Sequence, residues 1–284
     1  MSNKIICYYH DDLDGIASAA IVKNYFQSDI ELIRVNYGDM WKSEDVEGNE
    51  VFVLDFSFPS MMDLAHSCRV LNWVDHHRTA MEQQKRAWNS EDIFGIRSLD
   101  KSGCELTFEY MNPAGKPVPD IIKYIGDMDM WKFNYKRTRV ICEAAQYDLT
   151  GPNSDLWPIL FTPALADQIL DDLEVHGSML LEAKRQRVKR IFEKGTDVTL
   201  FGQRARLMNA TSDISEAGEY VYSQSEYDMA VMWQVVSGEV VLSFRSNSVD
   251  VGKIAEQFGG GGHKAASGAT VDFPTLLKIM EGNL

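Results

Sequence analysis

The chain has 284 residues, of which 45% are hydrophobic and 25% charged, and its formal net charge at pH 7 is −14. These proportions are typical of a globular protein with one large domain or two. The acidic balance argues against broad binding of duplex DNA, which requires many lysines and arginines to neutralise phosphates. It leaves open a short anionic substrate that is held in one local pocket.

The apolar runs, the N-terminal stretch and the cysteines indicate the cellular compartment to expect. No apolar run reaches the roughly 18 residues of a membrane-spanning helix. The opening stretch MSNKIICYYHDD meets acidic residues too early for a signal peptide, so we expect a cytoplasmic protein. The four cysteines, Cys7, Cys68, Cys104 and Cys142, lack CxxC spacing. This scatter predicts reduced core thiols rather than a disulfide framework or a zinc ribbon.

The first half of the chain alternates short apolar runs with helical patterns. The β-branched content and length of these runs predict strands, at residues 4–9, 30–37, 50–56 and 69–77. The small apolar residues of 15–26 suit a crossover helix between the first two strands. This order predicts an α/β fold with a mainly parallel sheet, whose ligands collect beyond the carboxyl ends of the strands.

The second half changes character. A helix is predicted over 119–133, a proline-containing loop over 150–163, and a longer helix from about Leu165 to Lys194, which Gly195 ends. Four strands and one helix then follow, at 197–202, 204–210, 228–236, 239–247 and 250–258. We therefore predict two domains, 1–194 and 195–284.

The stretch HDDLDG directly after the first strand crowds like charges together. His10, Asp12 and Asp14 occupy alternate positions and would share a direction at an extended strand end. Carboxylates so close repel one another unless a cation lies among them, which favours a metal site. Asp14 could instead cap the following helix, although capping requires only one acid.

Further candidate ligands close other predicted elements. Asp55 ends the third strand, and Asp75, His76 and His77 end the fourth. Imidazole is a common metal ligand, and a neighbouring acid can orient the ring or bind the metal directly. The stretch GDMD, residues 126–129, offers two more carboxylates, and spacing alone does not choose between them.

Four features of the sequence resemble, in their order, the four motifs of the DHH phosphoesterase superfamily: HDDLDG, the strand-terminal Asp55, DHH and GDMD. FGGGGHKAASG, residues 258–268, resembles the signature of the accompanying DHHA1 domain. The compact HxDxDG opening and short chain are most similar to oligoribonucleases of the nano-RNase B type. The resemblance implies a DHH catalytic domain, a helical linker and a smaller α/β DHHA1 domain with a mixed sheet.

The resemblance also implies a set of site residues. It implies two divalent cations that are bridged by Asp55. Manganese is the metal expected, and magnesium or cobalt is the alternative. Asp55, His77 and Asp75 would be catalytic, with His77 facing the phosphate and Asp75 supporting the site. The implied metal ligands are His10, Asp12, Asp14, Asp55, His76 and Asp127, with Asp129 as the alternative to Asp127.

The glycine run differs from the common nucleotide-binding motifs. Gly259 to Gly262 lack the GK[ST] ending of a P-loop and the spacing of GxGxxG. Glycines allow backbone N–H groups to approach an anion closely, although they could also mark a flexible turn. By resemblance to DHHA1 domains, we expect the substrate to be bound by Arg245, Ser246, Gly260, Gly261, Gly262 and His263.

The function that this resemblance implies is hydrolysis of short oligonucleotides, nano-RNA or short DNA, to mononucleotides, with two metals and water as the nucleophile. A cyclic or linear dinucleotide phosphodiesterase is the alternative. Inorganic pyrophosphatase is disfavoured by the DHHA1 signature, and a non-catalytic nucleic-acid-binding module by the full ligand set. No GxSxG turn supports a serine nucleophile. Expected partners are short single-stranded substrates and no membrane, and the oligomeric state, a homodimer included, stays open.

Overall fold

The computed structural model describes residues 4–27, 30–85 and 93–282. The chain divides into an N-terminal unit, Met1–Leu180, and a C-terminal unit, Leu181–Leu284. The predicted domain boundary at 194/195 coincides with the end of a long helix, Pro163–Glu193, and stays a prediction, since the units divide within that helix.

The N-terminal unit is built on a five-stranded sheet in which all neighbouring strands are parallel. The strand order is β2-β1-β3-β4-β5, which confirms the predicted parallel sheet. The strands are β1 (Ile5–His10), β2 (Ile30–Val35), β3 (Glu50–Leu54), β4 (Val70–Val74) and β5 (Ile93–Phe94). The strands β2, β3 and β4 all end earlier than predicted, so Asp55 lies just beyond β3 and the segment Asp75–His77 just beyond β4.

Helices cover both faces of this sheet. They are α1 (Leu13–Phe26), α2 (Ser43–Val46), α3 (Met61–Ser67), α4 (Arg78–Gln84), α5 (Gly103–Met111), α6 (Asp120–Asp129), α7 (Thr138–Asp148), α8 (Leu156–Leu160) and α9 (Pro163–Glu193), which continues into the C-terminal unit. Adjacent residues of β1 enter two separate cores because side chains alternate across a strand: Cys7 and Tyr9 in one, Ile6 and Tyr8 in the other.

The C-terminal unit has a six-stranded mixed sheet of order β10-β11-β9-β8-β7-β6. The β7–β8 pair is parallel, and the pairs β6–β7, β8–β9, β9–β11 and β10–β11 are antiparallel. This confirms the mixed sheet expected of the second domain. Its elements are β6 (Thr196–Leu200), β7 (Gln203–Asn209), α10 (Ile214–Tyr222), β8 (Met229–Val236), β9 (Glu239–Arg245), α11 (Val251–Glu256), β10 (Gly261–Gly262), β11 (Ala266–Val271) and α12 (Phe273–Met280).

The segment 150–163 also departs from the expectation. The predicted loop 150–163 contains the short helix α8, which buries Trp157 and Leu160. Proline is compatible with this helix because its lone proline, Pro158, lies in the first turn, where no intrahelical N–H bond is lost. Within the described residues no helix is both long and apolar enough to cross a membrane.

Candidate metal centre

The carboxyl ends of three neighbouring strands bring the predicted residues of the N-terminal unit together. His10 is the last residue of β1, Asp55 follows β3, and His76 and His77 come shortly after β4. These three strands are adjacent in the sheet. Their ends therefore share one edge, which is where parallel sheets bind ligands.

Asp55 lies at the centre of the cluster and is 1% exposed. Its backbone N–H donates to the carbonyl of Val74 (2.8 Å), and its φ is 54°. A non-glycine residue in this left-handed region costs on the order of 1–3 kcal/mol and is found mostly where the surrounding structure requires it. Among the residues that the structure describes, neither carboxylate oxygen of Asp55 has a hydrogen-bond partner of good geometry. The fold thus holds a buried, unsatisfied carboxylate at the sheet edge.

One group of donors meets Asp55 from the end of β1. His10 Nδ1 lies 2.7 Å from Asp12 Oδ2 and 3.8 Å from Asp55 Oδ2. Asp12 is the N-cap of α1 and accepts the N–H of Gly15 (2.9 Å) through Oδ1, which fixes its orientation. A Cβ on Gly15 would lie 2.3 Å from the His10 carbonyl oxygen. Glycine therefore permits the tight turn that carries the chain from β1 into α1.

A second group meets Asp55 from the other side. His76 Nε2 lies 3.1 Å from Asp55 Oδ1, 3.5 Å from Asp129 Oδ2 and 3.9 Å from Asp14 Oδ2. Asp14 is buried in the first turn of α1. It does not cap its own helix, a role that Asp12 takes. Instead it accepts the N–H groups of Gly103 (2.6 Å) and Cys104 (2.9 Å) at the start of α5.

The structure separates the two carboxylates of GDMD. Asp127 accepts the N–H groups of Asn134 (2.8 Å) and Tyr135 (3.2 Å) and the hydroxyl of Thr138, so its charge supports the turn into α7. Asp129 lies with Asp14 and His76 in a group of possible metal ligands. Asp127, the residue first expected to bind metal, is thus not brought into the cluster, whereas its alternative Asp129 is.

Asp75 supports the two histidines that follow it. The fully buried carboxylate accepts the backbone N–H groups of His76 (2.7 Å) and His77 (3.1 Å) and contacts His77 Nδ1 (2.8 Å), all through Oδ1. Burial alone would lower the pKa of His77, but the contact with Asp75 and the nearby Asp55 raise it on balance. Asp75 therefore orients His77 and favours its protonated form.

The pKa values of the cluster reflect an excess of negative charge. Contacts with Asp12 and Asp55 raise the pKa of His10 to about 10. Burial, followed by repulsion from Asp14 and Asp55, raises the pKa of Asp129 to about 8. Burial and repulsion from Asp14 also raise the pKa of Asp55 well above its ordinary value. Without a cation, protons neutralise part of this cluster.

The donor set fits divalent cations. Within the described part of the chain, three groups of residues each offer ligand atoms within 4.8 Å of one another: His10, Asp12 and Asp55; Asp14, His76 and Asp129; Asp55, His76 and His77. Carboxylate oxygens mixed with imidazole suit manganese and related ions, and no thiolate takes part. The two unsatisfied oxygens of Asp55 supply what a bridging ligand requires.

In the C-terminal unit, the residues predicted to bind substrate lie at the end of β9 and the adjoining hairpin. Arg245 pairs in register with Ala266 of β11. Its side chain packs closely against Gly218, where an added Cβ would lie 2.5 Å from Arg245 Cβ. Ser246 is buried; its hydroxyl donates to the carbonyl of Asp228 (2.6 Å) and accepts the N–H of Val249 (2.9 Å). Ser246 therefore holds the backbone of this corner together.

The glycine run forms one side of the β10–β11 hairpin. A Cβ on Gly260 would lie 2.1 Å from the Gly268 carbonyl oxygen, and one on Gly262 would lie 2.6 Å from Ser267 Cα. The N–H of Gly260 donates to Ala255, whereas Gly261 and Gly262 pair with β11. Close packing of strands thus explains Gly260 and Gly262. His263 is exposed at the hairpin turn, and its N–H donates to the carbonyl of Ala266 (2.8 Å).

Two features of the site went unnoticed in the sequence. The first is the start of α5, whose N–H groups hold Asp14; its capping box, Ser102 with Glu105, is a readable S-x-x-E signal. The second is Tyr37, which follows β2 and whose ring lies 5.5 Å from that of His10. A lone tyrosine after a strand carries no comparable signal.

Two family models match the chain. The model described as the DHH family, N-terminal domain, matches residues 4–128, and the model described as the DHHA1 domain matches residues 205–283. The first match covers His10 to Asp127, and the second covers the β7–α12 part of the C-terminal unit.

Individual relatives are distant. An uncharacterised protein of Acanthamoeba polyphaga mimivirus is 25% identical over 293 residues, which cover 93% of this chain and 66% of that protein. Oligoribonuclease NrnB of Bacillus subtilis is 22% identical over 298 residues, covering 93% of this chain and 72% of that protein. The solved structure of PggH, a pGpG-specific phosphodiesterase from Vibrio cholerae, has a similar fold, with a TM-score of 0.55, 14% identity and coverage of 99% and 97%.

Proposed function

We propose that this protein, which belongs to the DHH phosphoesterase superfamily and carries a DHH domain followed by a DHHA1 domain, hydrolyses short oligonucleotides to mononucleotides. One observation carries the proposal: the buried carboxylate of Asp55 has two unsatisfied oxygens, and a separate group of ligands approaches each of them. This arrangement suits two cations that share one bridging ligand.

Manganese is the metal that we propose, and magnesium or cobalt offers the same coordination chemistry. His10, Asp12 and Asp55 would hold one ion, and Asp14, Asp55, His76 and Asp129 would hold the other. Such a pair of ions supplies an activated water and neutralises charge on a phosphate during in-line displacement. The chain itself contributes the fixed spacing of the ligands, because Asp12 and Asp14 are held in place by backbone N–H groups.

His77 has a different role in this proposal. Its Nδ1 contacts Asp75 (2.8 Å) and its side chain is 31% exposed, so Nε2 is the nitrogen left to face a substrate. With a raised pKa, the protonated ring donates a hydrogen bond to a non-bridging phosphate oxygen and stabilises the negative charge that develops there. Asp75 is then a positioning residue, which fixes the ring without contacting the substrate.

Arg245 and His263 are the groups that we propose for binding the substrate in the C-terminal unit. Arg245 offers five N–H donors in a planar fork that matches phosphate; one terminal nitrogen contacts the carbonyl of Phe244 (2.9 Å). The exposed His263 can add a further donor. The roles expected for Ser246 and the glycines are more limited, since their hydrogen bonds and close packing maintain the hairpin beside Arg245.

The substrate class follows from charge and similarity. A net charge of −14 disfavours long nucleic acids, whose binding depends on many phosphate contacts. The similarity to an oligoribonuclease favours short RNA, and the similarity in fold to a pGpG-specific phosphodiesterase makes a linear dinucleotide the second candidate. Both substrates require the same metal centre and differ only in length.

The proposal is tested with a panel of RNA and DNA oligomers of 2 to 24 nucleotides, cyclic dinucleotides and pyrophosphate, each with manganese or magnesium. We expect mononucleotides from the shortest RNA oligomers and slower turnover as length increases. Asp55→Ala should abolish turnover, whereas Asp120→Ala, which removes an exposed carboxylate paired with Lys123, should not affect it. Turnover of pyrophosphate alone would contradict the proposal.

A further inference from the structure

A cavity of about 320 Å³ lies next to the candidate metal centre in the N-terminal unit. It is enclosed by the segment after β2, the segment after β3 and the helix α4. Asp75 and His77 form part of its wall. A molecule in this cavity is therefore adjacent to the side chain that we propose to contact the phosphate.

Aromatic rings line the cavity on the side of the metal ligands. The ring of Tyr37 lies 5.5 Å from that of His10 and 5.7 Å from that of Phe56. Phe56 is buried, whereas Tyr37 is 72% exposed. An exposed aromatic face beside a buried one offers a surface on which a flat, weakly polar ring can stack.

The charges of the cavity disfavour phosphate as its main occupant. Its wall carries the carboxylates of Asp39 and Asp75, and the described residues that line it include no lysine or arginine. The imidazole of His77, the one basic group among these described residues, is paired with Asp75 (2.8 Å). An anion here would be repelled, whereas a neutral group is tolerated. Ser57, Thr79 and Gln83 add hydroxyl and amide groups that can form hydrogen bonds with a sugar or base.

The volume limits the size of the occupant. Pockets for small molecules usually measure about 300–1,000 Å³, so this cavity lies at the lower end of the range. It has room for one base with its sugar and too little room for two. The two parts of one nucleotide would thus have separate places: the candidate metal centre for the charged phosphate, and this cavity for the neutral remainder.

We propose that this cavity is a nucleoside subsite, in which the base of the nucleotide being released stacks on Tyr37. The inference deepens the proposed function and rests on it for the identity of the phosphate site. It assigns Tyr37 a direct contact with substrate that is independent of the reacting bond. Because every base has an aromatic face, the subsite would accept different bases.

Binding of adenosine 5′-monophosphate and ribose 5-phosphate to the manganese-loaded protein tests the subsite without requiring turnover. Calorimetry should show that the wild type prefers the nucleotide by roughly 5- to 150-fold, the range expected for one stacked base. Tyr37→Ala should abolish that preference and leave the binding of ribose 5-phosphate unchanged. Tyr37→Phe, which keeps the aromatic face, should retain it.

Tyr25→Ala is the matched control, because Tyr25 is also an exposed tyrosine of this unit, at 57%, and lies outside the cavity wall. It should bind both probes as the wild type does. The subsite would be overturned by any of three results: the wild type binds the two probes with equal affinity, it binds neither probe, or Tyr37→Ala keeps the preference for the nucleotide. Should the oligomer panel show no turnover while the Tyr37-dependent preference persists, the proposed function fails and the subsite stands.

Discussion

The substitution Gly103→Ala tests how closely the metal ligands are packed against α5. A Cβ at position 103 would lie 2.7 Å from Asp55 Cβ and 2.9 Å from Asp14 Oδ2. Non-bonded carbons normally approach to about 3.5–4.0 Å, so Asp55 would have to move by roughly 0.8 Å or more. The N–H that Gly103 donates to Asp14 is retained in alanine, so the substitution changes space and not hydrogen-bonding capacity.

The expected result is a protein that folds but binds manganese poorly. Overpacking a buried position costs about 1–3 kcal/mol, or about 2–4 °C in Tm for each kcal/mol in a domain of this size. Disturbing the residues that orient metal ligands typically costs about 10–100-fold in metal affinity. Calorimetric titration with manganese, together with thermal unfolding, measures both effects.

Gly151→Ala provides the matched control, because an added Cβ there meets nothing within 4 Å. Its manganese affinity and Tm should equal those of the wild type. The reasoning is refuted if Gly103→Ala binds two equivalents of manganese with wild-type affinity, since the carboxylates would then not depend on the space that glycine leaves.

Three further predictions concern the same cluster. Asp129→Asn should lose one of two bound manganese ions, as measured by calorimetry. Asp127→Asn should keep both ions and lower the free energy of unfolding in denaturant by about 1–3 kcal/mol, because it weakens charge-assisted hydrogen bonds. The reverse pattern would make Asp127 the metal ligand. Because the pKa values of Asp129 and His10 are raised, the folded protein binds these protons more tightly than the unfolded chain does, so the free energy of unfolding falls as pH rises. For Asp129 this loss extends from about pH 4 to pH 8, and for His10 from about pH 6.5 to pH 10. Thermal unfolding in chelator should therefore show Tm falling from pH 6 to pH 8, and the increase in Tm on adding manganese should grow over the same range; a constant increase would contradict this account. Asp75→Asn should lower the pKa of His77 and shift the alkaline limb of the pH–kcat profile to lower pH, and an unchanged profile would remove the role of Asp75.

Much of the scaffold was predictable because the signals are local. The apolar runs and their spacing identify β1 to β4, and strand–helix–strand order implies parallel pairing. That order alone places His10, Asp55 and His76 at one edge of the sheet. The family resemblance added the DHHA1 domain, whose match to residues 205–283 confirms that expectation.

The finer details of the site depend on three-dimensional context. Asp127 and Asp129 are two residues apart near the end of one helix. The three-dimensional structure shows that Asp127 is the one whose carboxylate accepts the backbone N–H groups of Asn134 and Tyr135. The alternation of His10, Asp12 and Asp14 assumed an extended chain, but β1 ends at His10 and α1 begins at Leu13.

The most direct test of the two-metal account is anomalous diffraction from manganese-soaked crystals. We predict two manganese peaks that share Asp55 as a ligand, one also bound by His10 and Asp12 and the other by Asp14, His76 and Asp129. A single peak, or peaks that Asp55 does not contact, would contradict the account.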